Sequence, residues 1–346
     1  MLTLMIYLAK AQHLGGIILN NSENKSEQNT PIKVCVSMIA YNHALYIENA
    51  IKGVLMQEAD FEIILVIGED CSSDSTRQIC ERYALQNPQK VKLLDSIKNY
   101  GIQGNIFRTI EACFDSTYIA FCEGDDAWLD KHKLQYQVDF LEKNKNYKAH
   151  AHNVIHRNLT TKEDKDFGER TDKELVARDL FRGWSFHVVS LMVRAELMKS
   201  IPINKLPQFS AADRFLNMWI GCHGTLFYEG TKFMAIYHRH QFGESENSNY
   251  VSVRQQDLDV ITFLGAYLND EELYREARLD AIKSLFFAAT IIDSPITSSK
   301  FSLLIEFIKL ASFREATNVW FLFLIIFGRP FYRSYEAFKK FRRPIL

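Results

Sequence analysis

Short apolar segments alternate with amphipathic segments from Pro31 onward, and this alternation restricts the fold more than any other feature of the chain. The apolar segments predict four buried strands, at residues 32–40, 61–68, 91–94 and 118–122. Helical spacing of apolar residues, as in residues 44–57, predicts helices between them. Strands that alternate with helices join through right-handed crossovers into a parallel sheet. We therefore predict an α/β fold with a mostly parallel central sheet flanked by helices.

Polar clusters follow three of these predicted strands, at residues 41–43, 69–74 and 123–126. In parallel sheets the carboxyl ends of the strands share one edge, where ligands bind. The third cluster, Glu-Gly-Asp-Asp, places adjacent carboxylates at a strand end, where mutual repulsion and lost hydration require a divalent cation or hydrogen-bond donors. The natural ligand of such a metal is a diphosphate.

The phosphate-binding loops of other nucleotide-binding folds are missing from the sequence. No GxGxxG follows the first predicted strand, and no GxxxxGK[ST] occurs. Dinucleotide-binding and P-loop proteins hold their phosphates with these loops. A metal on Asp126 is another way to hold the phosphates, without a Gly-rich loop. Asp70 and Asp125 would then accept hydrogen bonds from a base and a ribose, so that acids alone bind the nucleotide.

Composition excludes several classes of protein. The 346 residues, 47% hydrophobic and 24% charged, suffice for a sizeable core, and the net charge of -1 gives no general affinity for nucleic acid. Six cysteines without a CxxC pair indicate reduced, buried thiols, as in a cytosol. The apolar residues 1–20 are interrupted by Lys10 and lack a cleavage site, so no signal peptide is predicted. We expect a cytoplasmic protein that binds no nucleic acid.

Residues 31–250 resemble the inverting GT-A glycosyltransferases of family 2, of the bacterial surface-glycan type, which use nucleotide sugars. The resemblance is carried by Val-Ser-Met-Ile-Ala-Tyr-Asn at 36–42, by a DDxSxDxT-like segment at 69–76 and by a DXD-type motif at 123–126. It implies a GT-A fold and a UDP-sugar or related donor, with Mn²⁺ or Mg²⁺ as cofactor. The residues that it implies for nucleotide-sugar binding are Ala40, Tyr41, Asn42, Asp70 and Asp125, with Asp126 as a metal ligand.

Two further segments extend this resemblance. Residues 211–216 resemble the segment in which the family places its catalytic base, which would be Asp213. His238-Arg239-His240 resembles the family's Y-R-x-H, so His240 would be a metal ligand and Arg239 would contact phosphate. The polar residues 241–250 that follow would form a loop over the donor.

Composition, hydrophobic period and the resemblance together suggest how the chain is divided. Residues 1–30 would be an N-terminal segment and polar linker, 31–130 the nucleotide-sugar-binding half of the GT-A domain, and 131–253 the acceptor-binding half. Residues 254–346 would be a helical C-terminal extension. Within the acceptor half, residues 157–180 are predicted to be a charged loop.

Individual residues have simpler interpretations as well. A single Asp-Asp pair is more often a solvated turn, and Asp74 and Asp213 are both typical helix caps. His150, His152 and His156 alternate on a predicted strand, which would place them on one face near the acceptor cleft, without a metal.

The C-terminal tail leaves two interpretations open. Residues 319–327 are an uninterrupted apolar run, too short for the roughly 20 residues that span a bilayer. Residues 329–346 hold six basic residues and one acidic residue, a net charge of +5. Residues 319–346 therefore suit peripheral attachment to the anionic inner face of the cytoplasmic membrane, or a helix packed on the protein or at an oligomer interface.

The sequence thus predicts a metal-dependent inverting glycosyltransferase that moves a sugar to a glycan or polyprenyl-linked acceptor in O-antigen, capsule or lipopolysaccharide synthesis. A sugar-1-phosphate nucleotidyltransferase is one alternative, but residues 41–43 lack the Gly-rich basic loop that it needs. A non-catalytic nucleotide-sugar-binding scaffold of the same fold is the other.

Overall fold

A computed structural model describes residues 31–183, 185–209, 212–240 and 250–292 of the chain. The side chains of residues 250–254, 283 and 285–292 are not described. Predictions for residues 1–30, 241–249 and 293–346 therefore lie outside the described residues.

The first half of the described chain contains the predicted alternation of strands and helices. Its elements are β1 (Lys33–Ala40), α1 (Ile47–Leu55), β2 (Glu62–Glu69), α2 (Thr76–Gln86), β3 (Val91–Leu93), α3 (Gly101–Glu111) and β4 (Tyr118–Phe121). Side chains of β1 alternate between two hydrophobic clusters, because successive residues of a strand point to opposite faces. Val34, Val36 and Met38 join the cluster with α1 and α2, and Cys35 joins the cluster with α3. The sheet is thus covered on both faces.

The second half adds shorter elements around two long strands. They are β5 (Ala127–Trp128), α4 (Lys133–Lys143), β6 (Tyr147–Asn158), β7 (Glu163–Asp166), β8 (Lys173–Leu175), α5 (Ala177–Arg182), β9 (Met192–Arg194), α6 (Ala195–Lys199), α7 (Ala212–His223) and β10 (Thr225–Arg239). Two helices, α8 (Tyr250–Leu268) and α9 (Glu271–Ile292), follow.

One sheet runs through both halves in the order β3-β2-β1-β4-β9-β6-β10-β5. Strands β1 to β4 are parallel, and β6 is parallel to β10. The short β9 is antiparallel to both β4 and β6 and joins the two halves. The predicted fold class is confirmed: an α/β fold with a mostly parallel central sheet, flanking helices and a helical extension.

Two predictions from the sequence are wrong. Residues 157–180 are not one charged loop, because β7 and β8 pair with β6 and β10 there and α5 begins at Ala177. Cys35 and Cys113 form a disulfide, so the expectation of reduced thiols throughout fails at this pair. Packing of α3 on β1 brings these cysteines together, with 5.4 Å between their Cα atoms, although 78 residues separate them in sequence.

No helix within the described ranges combines the length and hydrophobicity needed to cross a bilayer. The predicted domain boundaries and cytoplasmic location stay predictions.

Lys133, the first residue of α4, is fully buried. Its Nζ donates to Gln137 Oε1 at 2.7 Å and lies 4.1 Å from the centroid of the Trp128 ring. Burial lowers the pKa of Lys133 to about 7, against a smaller opposing effect of Cys122. The lysine is therefore easily deprotonated in the folded protein.

This shift predicts a pH-dependent stability. Between pH 7 and the unfolded-state pKa of Lys, the unfolded chain binds one proton more than the folded chain at Lys133, so rising pH favours folding. From pH 7 to pH 9, urea denaturation should show wild type gaining about 2 kcal/mol relative to Lys133→Met. Lys131→Met, at an exposed lysine, is the control, and its free energy of unfolding should rise with pH as much as that of wild type. Parallel curves for wild type and Lys133→Met would contradict the prediction.

Candidate active site

The carboxyl ends of β1 and β2 form the first part of the site. The Asp70 backbone N–H donates to the carbonyl of Ala40 at 3.0 Å, so these predicted nucleotide-binding residues are in direct contact. The Asp70 side chain is buried, and its Oδ1 accepts the Tyr100 backbone N–H at 2.7 Å. Asp70 is therefore held in one orientation at the strand ends.

The turn after β1 is tied to the start of α2 by side-chain hydrogen bonds. Asn42 has a φ of 56°, in the left-handed region, which Asn tolerates better than most residues. Its Oδ1 accepts the Ser73 N–H at 2.8 Å, and Asp74 Oδ2 accepts the Ala44 N–H at 3.0 Å. Tyr41 beside Asn42 is 48% exposed. The structure therefore gives Asp74 a role in joining the two turns, and it leaves Tyr41 accessible to a ligand.

The acidic turn crosses the end of β1 at Gly124. The Gly124 N–H donates to the Ile39 carbonyl at 2.9 Å. A Cβ at position 124 would lie 2.7 Å from Ile47 Cδ1 and 3.0 Å from Ala40 Cβ. Only glycine fits here without displacing its neighbours, and this close approach brings the acids to the strand ends.

Asp126 is buried and lies among three segments of the chain. Its Oδ1 accepts the His238 backbone N–H at 3.0 Å, and its Oδ2 lies 3.6 Å from His187 Nδ1. Among the described residues, Oδ2 has no hydrogen-bond partner. Burial, and then the charges of Asp125 and Glu123, raise the pKa of Asp126 well above its usual range. A positive charge at this point would stabilise the ionised carboxylate.

Asp125 lies in a different electrostatic environment. Its Oδ2 is 3.1 Å from His240 Nε2 and 3.6 Å from His43 Nε2. Burial alone would raise the pKa of Asp125, but these two histidines outweigh it and hold the pKa below its usual value. The His240 ring also stacks on Tyr46, with 4.6 Å between the ring centroids. The structure thus places His240, the predicted metal ligand, against Asp125.

His187 completes an acidic cluster that the sequence analysis did not find. One ligating atom each from Glu123, Asp126 and His187 lies within 4.8 Å of the others. His187 precedes a short 3-10 turn at Val188–Ser190, and its ring stacks on Tyr237 at 4.0 Å. Burial lowers the pKa of His187 to about 3, so its imidazole is neutral at physiological pH. A lone histidine between apolar residues carries no local signal for this role.

These three residues fit a divalent cation. Carboxylate oxygens and a neutral imidazole are ligands that Mn²⁺ accepts, and the buried Asp126 Oδ2 lacks another partner among the described residues. Burial, together with the charges of Asp125 and Asp213, also raises the pKa of Glu123 well above its usual range. A cation between these carboxylates would compensate the charge that burial disfavours.

Asp213 lies in the first turn of α7, and the structure brings it near the acidic cluster. Its charge is among those that raise the pKa of Glu123. Its Oδ1 accepts the backbone N–H of the next residue, Arg214, at 2.8 Å. Burial raises the pKa of Asp213 to about 6, which suits a group that accepts a proton near neutral pH. This contact is compatible with a role of Asp213 as a base.

The end of β10 supplies the remaining predicted residues. His238 Nδ1 lies 2.7 Å from the Asp125 carbonyl oxygen, and Arg239 is the last residue of the strand, where its carbonyl accepts the Leu159 N–H at 2.9 Å. The phosphate contact predicted for Arg239 stays a prediction. His150, His152 and His156 all lie on β6, as predicted.

Most of the residues of this site lie in a segment that matches a known protein family. The family model described as Glycosyl transferase family 2 matches residues 35–194, which include β1, the acidic turn and His187. An uncharacterized protein of Mycobacterium tuberculosis is 28% identical over 207 residues, 59% of this chain. The chain spans 58% of the length of that relative.

Two solved structures share the fold. TarS residues 1–349 of S. aureus, in complex with UDP-GlcNAc, align with a TM-score of 0.66 and 18% identity over 88% of this chain and 92% of that chain. The mannosyltransferase PcManGT from Pyrobaculum calidifontis, in complex with GDP-Man and Mn²⁺, aligns with a TM-score of 0.51 and 13% identity, over 96% and 90% of the two chains. At such identities the likeness concerns the fold alone. Residues 35–194 therefore match glycosyltransferase family 2, and the described residues have the GT-A fold.

Proposed function

We propose that the protein is a metal-dependent inverting glycosyltransferase that transfers a sugar from a nucleoside-diphosphate sugar to a hydroxyl of a glycan or polyprenyl-linked acceptor. The observation that carries this proposal is the convergence of a cation-binding cluster, Glu123, Asp126 and His187, with a carboxylate suited to be a base, Asp213. The family match and the nucleotide sugars bound by the two solved relatives in fold support it.

The donor would bind along the carboxyl ends of β1 and β2. Asp70, fixed by Tyr100, would accept a hydrogen bond from the base, and Asp125, kept ionised by two histidines, would accept one from the ribose. Ala40, Tyr41 and Asn42 would line the nucleotide. TarS is solved with UDP-GlcNAc, and we propose a UDP-sugar for this chain as well.

Glu123, Asp126 and His187 would hold Mn²⁺ or Mg²⁺ against the diphosphate. The bound ion would supply positive charge for the nucleoside diphosphate as it leaves. His187 is suited to this position because burial keeps its imidazole neutral, and a neutral nitrogen does not repel a cation.

Asp213 would act as the general base. It would take the proton from the acceptor hydroxyl while that oxygen bonds to the anomeric carbon and the bond to the diphosphate breaks. A single displacement of this kind inverts the configuration at the anomeric carbon. The transition state resembles an oxocarbenium ion, as in glycoside hydrolysis, where two carboxylates are used. Here one carboxylate and a cation would share those roles.

The acceptor is proposed to be a growing surface glycan near the membrane. The tail 329–346, with a net charge of +5, would attract the chain to an anionic lipid surface. Such attachment would keep the protein at the surface that carries lipid-linked acceptors.

The metal site predicts a contrast between two histidines. His187→Ala should weaken Mn²⁺ binding by at least about tenfold, the lower limit of what even outer-shell partners contribute. His240→Ala should leave Mn²⁺ affinity nearly unchanged, because His240 contacts Asp125 instead of the cluster. Titration of each variant with Mn²⁺ alone, by calorimetry or electron paramagnetic resonance, measures both affinities. The reverse order would assign the metal to His240, as the family resemblance implies.

The base predicts a pH profile. Asp213 must be ionised to accept a proton, so kcat should fall as pH decreases through about 6, the raised pKa of this carboxyl. Asp213→Asn should lower kcat by about 10²- to 10⁴-fold with little change in donor affinity. Release of nucleoside diphosphate from a panel of nucleotide sugars, with and without Mn²⁺, measures both effects.

Asp259→Asn, which changes an exposed carboxylate on α8, is the matched control and should leave kcat unchanged. Full activity of Asp213→Asn would remove Asp213 from the mechanism. Metal-dependent donor binding without turnover by wild type, even with lipid-extract acceptors, would instead favour the scaffold function.

Membrane attachment has its own test. The full chain should bind vesicles of phosphatidylcholine with 30% phosphatidylglycerol, a composition chosen for its negative surface, and not vesicles of phosphatidylcholine alone. Replacing four basic residues of the tail by Gln should abolish most of this binding; they are Lys339, Lys340, Arg342 and Arg343. Equal replacement of four exposed lysines is the control; they are Lys131, Lys145, Lys165 and Lys199. Absence of vesicle binding would favour the packed-helix interpretation of the tail.

A further inference from the structure

Arg214, the residue next to the proposed base, is completely buried and forms an ion pair with α8. Its relative exposure is 0%, and its Nε donates to Asp257 Oδ1 at 2.9 Å. Asp257 is itself 1% exposed. The helical extension thus contributes a buried carboxylate, Asp257, that contacts the residue next to Asp213.

The same guanidinium binds the carboxyl end of α5. It donates to the carbonyls of Leu180 at 3.2 Å, Phe181 at 3.0 Å and Gly183 at 2.9 Å. The last carbonyls of a helix have no partner within the helix, and a cation there also interacts favourably with the helix dipole. Arg214 therefore fixes the point at which the chain leaves α5.

The segments that Arg214 joins lead to two parts of the proposed site. On its own helix, the preceding residue is Asp213. Beyond α5, His187 lies four residues after Gly183. Arg214, held by Asp257, thus connects the first turn of α7, which carries Asp213, to the end of α5. The segment that leads to His187 begins at this end of α5.

Stability alone does not explain such an arrangement. Exchanging a buried ion pair for apolar residues of similar size is often neutral or stabilising, because the pair gives up hydration. The guanidinium geometry, in contrast, fixes several acceptors at once, which a lysine or an apolar side chain does not do. The arrangement is therefore better suited to holding groups in place than to strengthening the core.

We propose that Arg214 and Asp257 are positioning residues for the transfer reaction, and that α8 thereby completes the active site. This inference rests on the proposed function, because it takes Asp213 as the base. Arg214 acts on Asp213 through the backbone of α7 and through its charge. The charges of Arg214 and Asp257 shift the pKa of Asp213. The charge of Asp213 in turn raises the pKa of Glu123.

Exposed ion pairs also join α5 to the extension and allow a matched control. Arg178 Nη2 lies 3.4 Å from Glu276 Oε2 of α9, with 61% and 49% of these side chains exposed. Arg178→Gln breaks a link between α5 and the helical extension without touching the buried pair. Exposed pairs contribute little, so this variant should keep wild-type kcat and donor affinity.

The test compares Arg214→Lys, Arg214→Met and Asp257→Asn in the full chain, with Mn²⁺ and the donor that wild type uses. Arg214→Lys, which keeps the charge but loses the fork of donors, should lower kcat about 10- to 100-fold with donor KM and nucleoside-diphosphate affinity within a factor of two. Circular dichroism and thermal melting confirm that each variant is folded.

The pH profiles supply a readout that a purely structural pair would not change. The Arg214 charge lowers the pKa of Asp213 and the Asp257 charge raises it. The acidic limb of kcat should therefore move to higher pH in Arg214→Met and to lower pH in Asp257→Asn. Opposite shifts in two variants at one ion pair do not arise from partial unfolding.

Unchanged kcat in folded Arg214→Lys, or acidic limbs that stay together in the other two variants, would overturn the inference. A kcat loss that only follows the folded fraction would overturn it too. If wild type itself showed no transfer with any donor, the proposed function would fail first, so the two failures are distinguishable.

Discussion

The site depends on the burial of Asp126, because an ionised carboxylate without hydration must be compensated by fixed partners. The structure supplies the backbone N–H of His238 for one oxygen and the His187 ring beside the other. Those two residues lie on β10 and before the 3-10 turn, far from Asp126 in sequence. The charge of Asp126 is therefore compensated only when the second half of the sheet packs in its correct position beside the first half. A cation held with Glu123 would complete the compensation.

The contacts around this cluster explain how the register is kept. β9 pairs with β4 on one side and β6 on the other, so the parallel half and the mixed half form one sheet. Trp128 Nε1 donates to the Val189 carbonyl at 3.0 Å, which ties the acidic segment to the turn after His187. The ion pair between Arg214 and Asp257 likewise ties the helix of the proposed base to α8.

Much of the site could be predicted because the relevant signals are local. Ala40 ends β1, Asp70 directly follows β2, and Asp126 lies in the turn after β4. In a parallel sheet such positions share an edge whatever the details of packing. His187 could not be predicted, because its neighbours in sequence are apolar and its partner Asp126 is 61 residues away. The Cys35–Cys113 pair was missed for the same reason, since cysteine spacing does not report which helix covers which strand.

Local patterns in the sequence specify the alternation of strands and helices, the parallel first half of the sheet and the acids at its edge, because hydrophobic period and strand-end chemistry act over a few residues. Only the packing of remote segments places His187 beside Glu123 and Asp126 and His240 beside Asp125. The same packing brings Asp257 of α8 into contact with Arg214, the residue next to Asp213. These outcomes depend on distances between segments that are remote in sequence. Such distances follow from the packing of the whole sheet and its helices, which no local pattern encodes.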